Sequence, residues 1–116
     1  MRRAQKAVSS GVVVNETFTQ IPVDIDADLA DLVPGYLSNR RADIERVRRG
    51  LAEADWAGIE RLAHGLKGSG GGYGFDPISV IGAEMERAAR VRDPDEVSRL
   101  VNILDDYLAR VRPVFG

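Results

Sequence analysis

From residue 24 to residue 111, apolar side chains recur every three or four positions, and no stretch keeps a strict two-residue alternation for more than a few residues. That rhythm constrains the fold more than any other feature of the chain. Positions i, i+3, i+4 and i+7 share one face of an α-helix, whereas a half-buried strand repeats every second residue. Leu29, Leu32 and Val33 predict a short first helix over 26–33. Pro34 can open the next helix at its first turn, and Leu37, Ile44, Val47 and Leu51 carry it over 34–53. Asp55 is a cap residue for a third helix with the stripe Trp56, Ile59, Leu62, Ala63 and Leu66, ending between 70 and 74. Asp76-Pro77 restarts the chain as a helix over about 77–91, lined by Ile78, Ile81, Met85, Ala88 and Ala89. Asp93 and Glu96 have capping-box spacing before a fifth helix, with Val97, Leu100, Val101, Leu104, Leu108 and Val111 on one face and Pro113 as its stop.

Short connections favour antiparallel neighbours. The predicted fold is therefore all-α: an antiparallel up-and-down four-helix bundle with a short additional N-terminal helix, over 24–116. Residues 1–23 lack a sustained period and are predicted to be a flexible tail, with room for a short extended piece at 12–14 or 18–23. Arg40, Arg41, Asp43, Glu45, Arg46, Arg48 and Arg49 on the second helix read as a solvated face.

Composition narrows the function. A chain of 116 residues, 44% hydrophobic and 29% charged, fits one soluble domain. A net charge of −2 argues against a nucleic-acid partner. With no cysteine, disulfides and thiolate metal sites are excluded. No apolar run approaches the roughly 20 residues of a membrane span, and no signal-peptide core follows the basic start MRRAQKAVSSG. The cytoplasm is the expected compartment.

The stretch LAHGLKGSGGGYGF at 62–75 holds the one histidine, His64, and half of the 12 glycines. Glycine within a helix costs about 1 kcal/mol against alanine. With residues advancing about 100° each and Ile59 at zero, Leu62, Ala63 and Leu66 fall within roughly 60° of the core direction, and His64 lies near 140°. The histidine is thus predicted to face solvent. Its neighbours at i+3, i+4 and i+7 are Lys67, Gly68 and Gly71. One lysine and otherwise bare backbone flank it, which gives another macromolecule access to the imidazole. Gly72 and Gly74 read as a helix end and loop; Gly65 and Gly68 sit inside the apolar period. Trp56, Tyr73 and Met85 read as packing residues.

Several chemistries fall away. No second histidine clusters with His64 for a metal. Ser69, at about 280° on the same wheel, is turned away from His64 and cannot complete a triad. The order Lys67-Gly68-Ser69 is not that of a P-loop, and a G-x-G-x-x-G from Gly68 would need glycine at Tyr73. What remains is an imidazole nitrogen acting as nucleophile and holding a phosphoryl group. Lys67 can supply a point charge to phosphate oxygens. The positioning machinery would come from the partner.

At these residues the chain resembles the histidine-containing phosphotransfer (HPt) family of bacterial phosphorelays. Ala63-His64, Leu66-Lys67-Gly68-Ser69 and then Gly74 match the family signature, and Ile78, Ile81, Met85, Glu86 and Arg90 are similar downstream. The likeness spans roughly 26–112. It implies a four-helix bundle with His64 as phospho-site, Lys67 assisting the phosphoryl group, and a small residue, Gly68, letting the partner dock, with Gly65 and Gly71 beside it. Ser69 and Gly74 belong to the helix motif. The implied partners are response-regulator receiver domains and a hybrid sensor histidine kinase, with neither nucleic acid nor membrane. The domain itself is expected to be a monomer without kinase or nucleotide-binding activity, metal or cofactor, with Mg on the receiver. Two departures stand out: Gly70, continued by Gly71 and Gly72, replaces the usual second serine or alanine, and Phe75 stands where alanine is common. The alternative is a non-phosphorylated helical module that binds a protein through the Arg-rich helix or the glycine surface. A small enzyme with His64 as general base would need a pocket of converging polar groups.

Overall fold

The computed structural model describes residues 19–116. Four helices carry the fold: α1 (Val33–Glu53), α2 (Trp56–Ser69), α3 (Asp76–Arg90) and α4 (Pro94–Arg110). Each packs on the next and α4 closes back on α1. The connections 54–55, 70–75 and 91–93 are short enough to make consecutive helices antiparallel. The core runs down the middle, with Val47, Ala63, Ile78, Met85, Val97 and Leu104 at or near zero exposure.

Local chemistry sets the helix ends. The Asp55 carboxylate accepts from Gly58 N–H at 3.0 Å, and that of Asp93 accepts from Glu96 N–H at 3.1 Å. The reciprocal half of the capping box is missing, because the Glu96 carboxylate is taken by Arg99. Asp76 is the first residue of α3, and Phe75 holds the cap position without a side-chain bond. Its carboxylate still lies at the positive end of that helix.

Three expectations need correction. The additional N-terminal helix over 26–33 is a single 3₁₀ turn, Ala27–Leu29, capped by Asp26, and α1 begins directly at Val33. Leu32, assigned to its apolar stripe, is 55% exposed. Too few residues separate the strand that precedes this turn from Pro34 for a hydrogen-bonded α-helical run to pay back its nucleation cost. Second, the extended piece allowed for at 18–23 is present, but as part of a strand, β1 (Ile21–Ile25), that is paired into the domain rather than left in a tail. It pairs in parallel with β2 (Val111–Phe115), Ile21 opposite Val111 and Ile25 opposite Phe115. Val111, expected on the last helix, therefore starts a strand. Pro22 and Pro113 each remove a ladder donor, and five residues give too short an alternation to stand out in the sequence. The possible extended piece at 12–14 lies outside the described residues. Third, the arginines of α1 are not simply solvated. Arg40 and Arg46 hold the nearly buried Asp43 at 2.8 and 2.9 Å, and Arg48 reaches Asn102 and Asp105 on α4. Among the described residues, no helix is long and apolar enough to cross a membrane.

Candidate functional site

The site is built on α2. Ile59, Ala63 and Leu66 are 2%, 0% and 1% exposed, which fixes the rotation of the helix. The His64 side chain, on the other face, is 71% exposed and that of Lys67 51%. The helical wheel thus has the correct phase.

What the wheel alone could not supply is α3. A Cβ at Gly82 would collide with the backbone nitrogen of Lys67 and stand 2.8 Å from both the Ala63 carbonyl oxygen and the Leu66 Cβ. Glycine at this position lets α3 lie against the backbone of α2. One turn further, Glu86 then comes alongside the histidine. Its Oε2 is 2.9 Å from His64 Nδ1, its Oε1 accepts from Lys67 Nζ at 3.3 Å, and Arg90 Nη2 stands 3.3 Å from Oε2. Arg90 in turn grips Glu60 on α2, through Nε and Nη2, each at 3.1 Å.

Glu86 is 8% exposed and would be costly to ionise without these partners. Its carboxyl is instead held below the usual carboxylate range, first by the hydrogen bond with His64, then by Lys67, against the opposing effect of burial. An ionised carboxylate only accepts. Nδ1 therefore donates, and in the neutral ring this tautomer puts the lone pair on Nε2.

The glycines divide into distinct groups. A Cβ at Gly65 or Gly68 would meet no atom of the described residues within 4 Å, so packing among them requires neither glycine. Gly71, placed on the histidine stripe by extending the wheel, is not there: α2 ends at Ser69, and Gly71 opens a 3₁₀ turn, Gly71–Tyr73, with its N–H bonded to Ser79 Oγ at 2.8 Å. Gly70, the residue after the helix, packs against α3, where a Cβ would lie 2.7 Å from Ser79 N and 2.9 Å from the Phe75 carbonyl oxygen. Gly74 follows with φ +93°, a left-handed conformation that favours glycine. Ile25 of β1 packs against it. Ser69 is turned from His64, as expected, and its Oγ lies 2.9 Å from the Tyr36 hydroxyl. Tyr36 stacks on Tyr73 at 4.1 Å, and the fully buried Phe75 lies parallel to it at 6.1 Å. The phenylalanine that departs from the expected motif thus closes the core beneath the end of α2.

Beside His64 lies an open concavity of about 480 Å³ lined by Ala57, Glu60, Arg61, His64 and Glu86. Glu60 and Glu86 are engaged with Arg90, His64 and Lys67. Among the described residues no group of three His, Cys, Asp or Glu side chains could hold a metal ion.

The family model of the Hpt domain matches residues 31–113, spanning all four helices. The chain belongs to the Hpt domain family. Such domains serve histidine phosphotransfer in two-component signalling, in partnership with receiver domains and histidine kinases. No curated protein and no solved structure gives a significant match. Within this Hpt domain, the sequence marks Glu86 and Arg90 as part of the family likeness but gives neither a contact. The usable signal is Gly82 four residues before Glu86, a small residue and a carboxylate on one stripe of α3.

Proposed function

We propose that this Hpt domain is a phosphorelay carrier: His64 accepts a phosphoryl group from the phosphoaspartate of one receiver domain and passes it to the aspartate of another. The observation that carries this reading is the pairing of Nδ1 with Glu86 while the imidazole is 71% exposed. A nucleophile needs a free lone pair, a fixed direction and room for its partner. Here Nε2 has all three.

In the transfer, the Nε2 lone pair attacks phosphorus and the N–P bond forms. The acyl phosphate P–O bond breaks, and its electrons leave with the receiver's carboxylate. No proton is lost from the ring. Nδ1 keeps its hydrogen and the ring gains positive charge, which the Glu86 carboxylate 2.9 Å away balances. The return step reverses this, with a carboxylate oxygen attacking phosphorus. Lys67, now on Glu86 Oε1 at 3.3 Å, lies one turn from His64 and can shift to the phosphoryl oxygens. Gly65 and Gly68 leave the approach open. Mg on the receiver would balance the remaining charge, and a hybrid sensor kinase is the expected upstream source. The domain works as a monomeric substrate in the cytoplasm and binds no nucleotide of its own.

The test is labelling from a phosphorylated receiver. Wild type should take up acid-labile, alkali-stable label and His64→Gln none, with the fold intact because the side chain faces solvent. Equal labelling of both proteins would defeat the proposal, and no labelling of either by any donor would favour the non-phosphorylated binding module.

A further inference from the structure

Two cations stand one helical turn either side of the histidine on α2: Arg61 three residues before it and Lys67 three residues after. Residues at this spacing are surface neighbours, with Cβ atoms about 5–6 Å apart. Their situations differ. Lys67 is bound to Glu86, and Arg90, the other cation near the ring, is shared between Glu60 and Glu86. Arg61 is exposed and has no ion pair with any of the described residues. It also lines two concavities at once. One is the trough holding His64, Glu60 and Glu86; the other lies between α1 and α2, with Arg40, Asp43, Gly65 and Ser69 on its walls. Arg61 is therefore the ridge between the two hollows flanking α2, and it carries a charge that no carboxylate among the described residues offsets.

We propose that Arg61 is a specificity-determining contact for the receiver domain. It meets a carboxylate-bearing or phosphorylated edge of that partner as it settles over Gly65 and Gly68. This rests on the reading of His64 as a phosphoryl carrier. The partner must bring anionic groups with it, since both its aspartate and the group in transit are negative. A cation already held by a carboxylate attracts such a partner weakly, and an uncommitted one attracts it from farther away. Guanidinium adds a planar fork suited to carboxylate and phosphate oxygens. Arg61 takes no part in bond making; it sets how often, and with which receiver, the encounter is productive.

The experiment compares two donors on the full chain. Phosphoramidate, a small molecule, reports the chemistry of His64 without docking. A receiver domain charged with acetyl phosphate, chosen as the one that loads wild type fastest, reports docking and chemistry together. For Arg61→Glu, the ratio of receiver loading to phosphoramidate loading should fall about tenfold at low salt. The gap should narrow between about 50 mM and 500 mM NaCl as screening removes the steering. Arg61→Lys should recover part of the loss. A ratio equal to that of wild type at low salt overturns the assignment, as does a loss that salt does not change. A wild type that neither donor labels defeats the carrier reading itself, and this inference with it, which is a separate outcome.

Discussion

Gly82 and Gly68 lie within reach of the same short segment of α2, and they are glycine for opposite reasons. At Gly82 a methyl group would strike the backbone of the neighbouring helix; at Gly68 it would point into open space. The inner glycine draws two helices together and so brings Glu86 to the histidine. The outer one adds nothing to packing and lowers helix propensity. Composition alone treats the two alike. The difference teaches that close approach within the domain and access from outside it are separate requirements, each met by the absence of a side chain.

Replacing Gly82 should break the comparison most severely. In Gly82→Val the new side chain faces backbone atoms of Ala63 and Lys67, which cannot step aside as a flexible side-chain end could. Overpacking of this kind costs typically about 1–3 kcal/mol. Chemical denaturation should register that loss. Because α3 must retreat, Glu86 should also release His64, and labelling by phosphoramidate should slow in the fraction that remains folded. A fully stable Gly82→Val would mean that the two helices have room to spare.

Glu86→Gln comes next. It keeps the shape and an acceptor oxygen but removes the charge that balances the phosphorylated ring. Charge-assisted hydrogen bonds are roughly twice as strong as neutral ones, so transfer should slow by about three- to tenfold. The stability consequence has a definite sign. His64, foremost, and Lys67 hold the Glu86 carboxyl below its ordinary value of 4.5. A depressed acid contributes stability that is fully present above its unfolded value and is lost as pH falls through the folded one. Wild type should therefore lose stability relative to Glu86→Gln as pH is lowered from about 5 toward 3. Parallel pH profiles for the two proteins would show that the carboxylate is not held as described.

The helical part of this arrangement was legible in the sequence because burial in a bundle imposes a period. The stripe of Ile59, Ala63 and Leu66 set the rotation of α2, and with it the exposure of His64. Contacts between helices have no such period. Nothing in α2 announces Glu86, and the meeting of the two depends on where α3 crosses, which Gly82 decides. The parallel pairing of β1 with β2 was hidden for a related reason. Strands joined through the whole helical bundle leave no local turn signal, and each contains a proline. A wheel extended past Ser69 misplaces Gly71, because α2 ends there and the chain tightens into a 3₁₀ turn.

Gly68→Gln should have the smallest effect on the molecule itself and is the sharpest probe of the outer glycine. Its Cβ enters open space, so no clash opposes it. Glutamine is a good helix former, and stability should rise by up to about 1 kcal/mol, less if the last turn of α2 frays. Receiver loading should nonetheless fall, because the side chain occupies the surface over which the partner approaches. Phosphoramidate, which needs no such approach, gives the comparison: its loading should fall much less. The two readouts moving in opposite directions, more stable and slower to exchange, is a signature that a packing role for Gly68 cannot produce. A variant that is more stable and loads from the receiver at the wild-type rate would leave the bare stripe beside His64 without a purpose.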